Sequence, residues 1–133
     1  MKVNITWISF LFLNCACILS CVQQTHLKTV TFEVDLNGMK NISAVGLRGN
    51  FTSPPWEVTL PLTDKDNNGI FELTLSKSTA QNEVAFKFVD QDDRFESDCQ
   101  PNRVITFEYR PETITYSTTF DQLDGKQVLK DHE

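Results

Sequence analysis

The chain has 133 residues, 40% of them hydrophobic and 23% charged, which suits one small folded domain and excludes a fibrous or low-complexity protein. Its net charge of -6 repels phosphate backbones and anionic headgroups, which argues against nucleic acid or a bare lipid surface as partner. A neutral ligand meets no such penalty.

The sequence opens "MKVNITWISFLFLNCACILSC", one lysine followed by an uncharged run from Val3 to Val22. A short basic start, an apolar stretch and small residues near Ser20 predict an export signal over residues 1–20. The run also approaches the length that spans a bilayer, so an uncleaved anchor is the alternative. "ILSC" resembles the lipobox of bacterial lipoproteins. That implies Cys21 as a lipidated first mature residue and places the protein in the periplasm or on the cell surface, with plain secretion as the other outcome. If Cys21 is lipidated, Cys99 is unpaired; if not, the two can form a disulfide. No Cys/His spacing suggests zinc.

From Leu27 onward the hydrophobic pattern has period two. "TVTFEVDL" puts Val30, Phe32, Val34 and Leu36 on one face and Thr31, Glu33 and Asp35 on the other. "LNGMKN" then carries an Asn-Gly hairpin signal. "SAVGLRG" supplies a strand around Val45 and Leu47, and Pro54-Pro55 stiffens the loop before Trp56. "EVTLPL" alternates through Val58, Leu60 and Leu62, and "DKDNNGIF" holds a second Asn-Gly turn. "IFELTL", "EVAFKFV", "VITFEY" and "ITYSTTF" complete about seven strands, with no segment of helical periodicity. The expectation is an all-β, antiparallel, immunoglobulin-like sandwich over residues 27–120, preceded by the signal. The remainder, 121–133, reads as a frayed polar tail or the start of a linker.

Catalysis finds little support. The two histidines, His26 and His132, lie at the ends of the mature chain, away from any nucleophile they could serve. Neither enzyme chemistry nor a cofactor is expected. Asp64, Asp66 and Asn68 match three positions of a calcium loop, but Leu75 stands where its bidentate Glu belongs, so a hairpin turn explains the letters better. "NIS" at Asn41 and "NFT" at Asn50 fit the N-glycosylation acceptor pattern, which matters only in a eukaryotic host.

The remaining candidates are Trp56, after its Pro-Pro loop; Lys87, opposite Phe86 and Phe88; Phe95-Glu96, in the polar loop "DQDDRFESDCQ"; and Asn102. Aromatic rings, an ammonium, a carboxylate and an amide are the groups that bind a neutral sugar. Rings cover the C–H face of a pyranose, while the polar groups bridge its hydroxyls. In order, "VTFEVDL", "AVGLRGN", "SPPW", "DKDNNG", "FKF", "RFE" and "PNR" resemble the motifs of the starch-binding domain, carbohydrate-binding module family 20, and of the related glycogen-binding family 48. The resemblance runs from about Thr31 to Phe107. It implies a non-catalytic module for α-glucan polysaccharide or maltooligosaccharide, serving glycan-degrading enzymes. Trp56 and Phe95 would be its platforms, and Lys87, Glu96 and Asn102 its hydrogen-bonding groups. Phe95 departs from the family's usual Trp, a smaller ring without an indole N–H. The alternative is a structural or protein-interaction sandwich, an accessory part of such a system, that has lost sugar binding.

Overall fold

Strand β1, His26–Asp35, buries Val30, Phe32 and Val34 and turns Thr29, Thr31 and Glu33 outward, the alternation that its sequence predicts. The computed structural model describes residues 22–124 and 127–131, and β1 is the first of eight strands in them. The others are β2 (Val45–Gly49), β3 (Leu60–Pro61), β4 (Ile70–Thr79), β5 (Glu83–Asp90), β6 (Arg103–Thr106), β7 (Glu112–Thr119) and β8 (Gln127–Asp131). They form two four-stranded sheets, ordered β4-β1-β7-β8 and β3-β2-β5-β6. The fold is an all-β sandwich. All its strand pairs are antiparallel except β1 with β7, which run parallel from Lys28↔Glu112 to Asp35↔Thr119.

The core lies between the sheets. Phe32 and Tyr116 of the first sheet both meet Phe86 of the second edge-on, at 4.9 and 5.0 Å between ring centroids. Each such pair adds ~1 kcal/mol beyond the area it buries. Val34, Leu47, Phe88, Ile114 and Phe120 are fully buried around them.

Three sequence expectations change. The "EVTLPL" strand shrinks to Leu60–Pro61. Neither Asn-Gly closes a two-residue hairpin. Gly38 and Gly69 do adopt left-handed φ of 83° and 84°, but the first turn carries the chain from one sheet to the other, and the second lies in the longer loop closed by the Thr63↔Glu72 bridge. Nor is 121–133 simply a tail, because β8 pairs with β7 from Ser117↔Gln127 to Thr113↔Asp131. The expected export signal and Cys21 lie outside the described residues.

Two buried ion clusters fasten the loops. Glu112, on β7, accepts from Lys28 Nζ at 2.6 Å, Lys130 Nζ at 3.2 Å and the Glu108 N–H at 2.9 Å. Lys28 also donates to the carbonyls of Glu108 and Arg110, so its ammonium is fully used. Burial pushes the Glu112 carboxyl up, but hydrogen bonds from Lys28, the Glu108 N–H and Lys130 offset this and hold it below its ordinary value. The second cluster, around Glu96 and Arg103, lies under the candidate site.

Candidate functional site on the outer face of the second sheet

In β2, Leu47 points into the core, so Arg48 points out. Arg48 Nε donates to Thr59 Oγ1 at 2.6 Å, its Nη2 donates to Asp93 Oδ1 at 2.5 Å, and the guanidinium lies 5.6 Å from the Phe95 ring centroid. It therefore ties the segment leaving Trp56 to the loop that carries Phe95. Gly46 makes this possible, since a Cβ there would stand 2.2 Å from the Thr59 methyl.

Trp56 is half-buried and held in a left-handed conformation, φ 65°. That is unusual for a bulky residue and costs about 1–2 kcal/mol. Its backbone N–H donates to the Gly49 carbonyl and to Thr52 Oγ1, both at 3.0 Å, which overrides the local preference. The loop also contains a cis Ser53-Pro54 bond. The left-handed backbone of Trp56 is the kind of strain that concentrates at functional positions.

Phe95 sits in a short hairpin folded back along β5. Its backbone bridges Val89, with Asp90 N–H donating to the Arg94 carbonyl and Glu96 N–H to the Phe88 carbonyl, each at 3.0 Å. Asp90 fixes the turn by accepting from the Asp92 and Arg94 N–H groups and from Arg94 Nε. Burial would raise its carboxyl, but those bonds bring it below the usual range. Val89 faces outward by its parity yet is fully buried beneath this turn.

Lys87 and Glu96 depart from the roles that the sequence suggested. Lys87 is 8% exposed, and its Nζ donates to the carbonyls of Gln100 at 2.9 Å and Ser97 at 3.3 Å, closing the following loop. Glu96 is 0% exposed. Its Oε1 accepts from Arg103 Nε at 2.7 Å and the Phe88 N–H at 3.0 Å, and its Oε2 from Arg103 Nη2 at 2.7 Å. A carboxylate so placed cannot reach a surface ligand; it holds the Phe95 loop to the sheet. Burial pushes the Arg103 guanidinium down, and Glu96 more than restores it. Asn102 is exposed, one residue before Arg103, which pairs with Phe86, so continuing that register sets it beside Lys87.

The structure thus sets Phe95 and Arg48 on the outer side of the second sheet, Lys87 and Asn102 at adjoining positions of β5 and β6, and the backbone of Trp56 against Gly49 at the end of β2. Sequence reasoning passed over Arg48 and Arg103. The available signal for Arg48 was a charged residue on the outward parity of a short strand between Leu47 and Gly49.

The acidic turn lies elsewhere. Asp64 Oδ1 and Oδ2 accept from the Asn68 and Gly69 N–H groups at 3.1 and 2.9 Å, and Asn68 Oδ1 accepts from the Ile70 N–H at 2.7 Å. Desolvation raises the Asp64 carboxyl, but these backbone bonds lower it further. Its oxygens serve the turn. Cys99 is exposed and free, and the Asn41 side chain is exposed, whereas Asn50 Oδ1 accepts from the Ala85 N–H at 3.2 Å.

No protein-family model matches the chain, and no curated protein does. Among solved structures it is similar to the glycoside hydrolase family 15 glucoamylase from Hypocrea jecorina, with a TM-score of 0.53 and 18% identity over 74% of this chain and 18% of that one. The likeness is one of fold. The chain spans less than a fifth of the glucoamylase. It is also similar, at a TM-score of 0.47 and 13% identity, to the CBM25-2 and CBM25-1 modules of the beta/alpha-amylase from Paenibacillus polymyxa. These cover 81% and 80% of this chain, and 96% and 95% of their own.

Proposed function

We propose that the protein is a non-catalytic carbohydrate-binding module for starch- or glycogen-type α-glucans, of the family 20 kind, and that the outer face of the second sheet is its site. The observation that carries this reading is Arg48, which lies over Phe95 while bonded to the segment that follows Trp56. It leaves Trp56 as the principal platform. Arg48 keeps three N–H groups beyond those given to Thr59 and Asp93, and with Asn102 they supply donors for vicinal hydroxyls. Lys87 supports the loop and leaves little of its ammonium to a sugar. A Phe in place of a Trp weakens binding about tenfold. The expected affinity is micromolar to millimolar, roughly -4 to -8 kcal/mol. The reading includes export by the signal over 1–20, with Cys21 as lipid anchor, or else secretion, and glycan-degrading enzymes as neighbours.

A second reading draws on the internal engagement of Lys87 and Glu96: a sandwich that keeps the fold and serves as a structural or protein-interaction domain. Affinity electrophoresis in starch gels separates the two. Retardation that disappears in Trp56→Ala supports glucan binding. Unretarded migration, identical in Trp56→Ala, overturns it.

A further inference from the structure

The edge of the first sheet poses a separate question. Glu72 of β4 exchanges both backbone hydrogen bonds with Thr63, at 2.9 and 3.0 Å, on the side away from β1. Because these groups alternate along a strand, the N–H and C=O of Thr74, Ser76 and Ser78 face the same way. Among the described residues nothing pairs with them. Leu62 and Thr63 carry the chain from the second sheet to the edge of the first, so β3 and β4 diverge and a cleft of about 220 Å³ opens between them. Its apolar lining includes Phe32, Phe51, Leu60, Leu75 and Phe107. On the inward face of β4, Phe71, Leu73 and Leu75 stay half-buried where their counterparts on β1 are fully buried.

Lys77 stands on the cleft's rim, directly opposite Lys28 in the β1–β4 register. Lys28 is consumed by Glu112, while Lys77 has no ion-pair partner among the described residues. Natural sheets protect open edges with bulges, proline or charge. Here β4 pairs with β1 through ten consecutive positions without a bulge, has no proline, and carries this single inward lysine.

We infer that the edge from Thr74 to Thr79 receives an extended segment of another protein, added as a strand, with apolar side chains at alternate positions and a carboxylate facing Lys77. Three features meet in this occupant. Only a peptide backbone supplies both acceptors and donors to the row Thr74, Ser76, Ser78. Alternate side chains fill the cleft, and the carboxylate answers Lys77. A fatty acid would satisfy the cleft and the lysine but not the backbone row. A second copy of β4 offers Phe71, Leu73, Leu75, Lys77 and Thr79 on its inward face, none of them acidic. The inference is independent of glucan binding, since this edge belongs to the other sheet.

The test uses the full chain and the synthetic peptide Thr-Val-Thr-Glu-Thr-Val-Thr, titrated by isotope-edited NMR, with a control peptide carrying Lys in place of Glu. Saturable binding of the acidic peptide is expected, with amide shifts confined to β4 and the cleft. Lys77→Glu should weaken it about fivefold and reverse the preference between the two peptides. Ser76→Pro removes an outward N–H without touching the β1 ladder, so it should abolish binding while thermal unfolding stays cooperative. No binding at millimolar peptide overturns the proposal. So does binding unaffected by either substitution, saturable uptake of octanoate with no response to the peptide, or self-association through β4 in sedimentation.

Discussion

Glu96 was read from sequence as a sugar-binding carboxylate and stands in the structure as a buried anchor, and one substitution separates these roles. Glu96→Gln keeps the side chain's shape but turns one oxygen into an NH2 group. Its two oxygens now face only donors, namely Arg103 Nε, Arg103 Nη2 and the Phe88 N–H, so in either orientation an amide N–H must confront another. Arg103 would retain the Gln122 carbonyl at 2.8 Å and weak contacts to Thr119 and Tyr116, too few for a guanidinium whose side chain is 1% exposed. Breaking a buried pair from one side costs about 3–5 kcal/mol. That is a large part of the 5–15 kcal/mol typical of a domain, and corresponds to a melting temperature lower by roughly 15 °C. Urea unfolding followed by Trp fluorescence measures the loss. Starch-gel retardation of the folded protein, run well below the new midpoint, should match the unsubstituted chain. A variant that loses less than about 1 kcal/mol of stability, or keeps its stability and loses retardation, would refute the anchor role.

Trp56→Ala should do the reverse, abolishing retardation while leaving the core intact. Arg48→Lys should weaken maltooligosaccharide binding several-fold, because an ammonium cannot bond Thr59 and Asp93 together and still present a planar set of donors; titration calorimetry with maltoheptaose measures it. Gly49→Ala would place a Cβ 2.4 Å from the Phe51 ring and 2.6 Å from the Ala85 carbonyl, and should cost about 1–3 kcal/mol in denaturant melts. Glu112 has a folded-state pKa below its ordinary 4.5, so it binds protons less readily folded than unfolded. Its contribution to stability is complete above 4.5 and disappears as pH falls through the folded value; melts between pH 7 and 3 should show the decline, and Glu112→Gln should flatten it. Because Asp64 and Asn68 spend their oxygens on the turn, neither calcium nor a chelator should move the melting temperature.

The strands were legible because one face of each is buried: alternation in "TVTFEVDL" or "ITYSTTF" records a core on one side and water on the other. What alternation does not record is which sheet receives the strand. The first Asn-Gly turn therefore announced a reversal without revealing a crossing. The β8 segment "QVLKD" was missed because it is a polar edge strand whose reason to be extended is β7. In the candidate site, Lys87 and Glu96 were misread for a common reason. A charge on the outer face of a strand or in a polar loop looks solvated until its partner is known, and Arg103 and the loop carbonyls become partners only through the fold.

The carboxylate of Glu112 joins Lys28, near the beginning of β1, to Lys130, near the end of β8. The two ends of the sandwich therefore leave from the same margin of the first sheet. Tension applied between them would peel β1 and β8 away from β7 rung by rung rather than load the rungs together in shear. The first connection to feel the pull would be this shared ionic clasp, so the module should yield mechanically at low force even where its chemical stability is high.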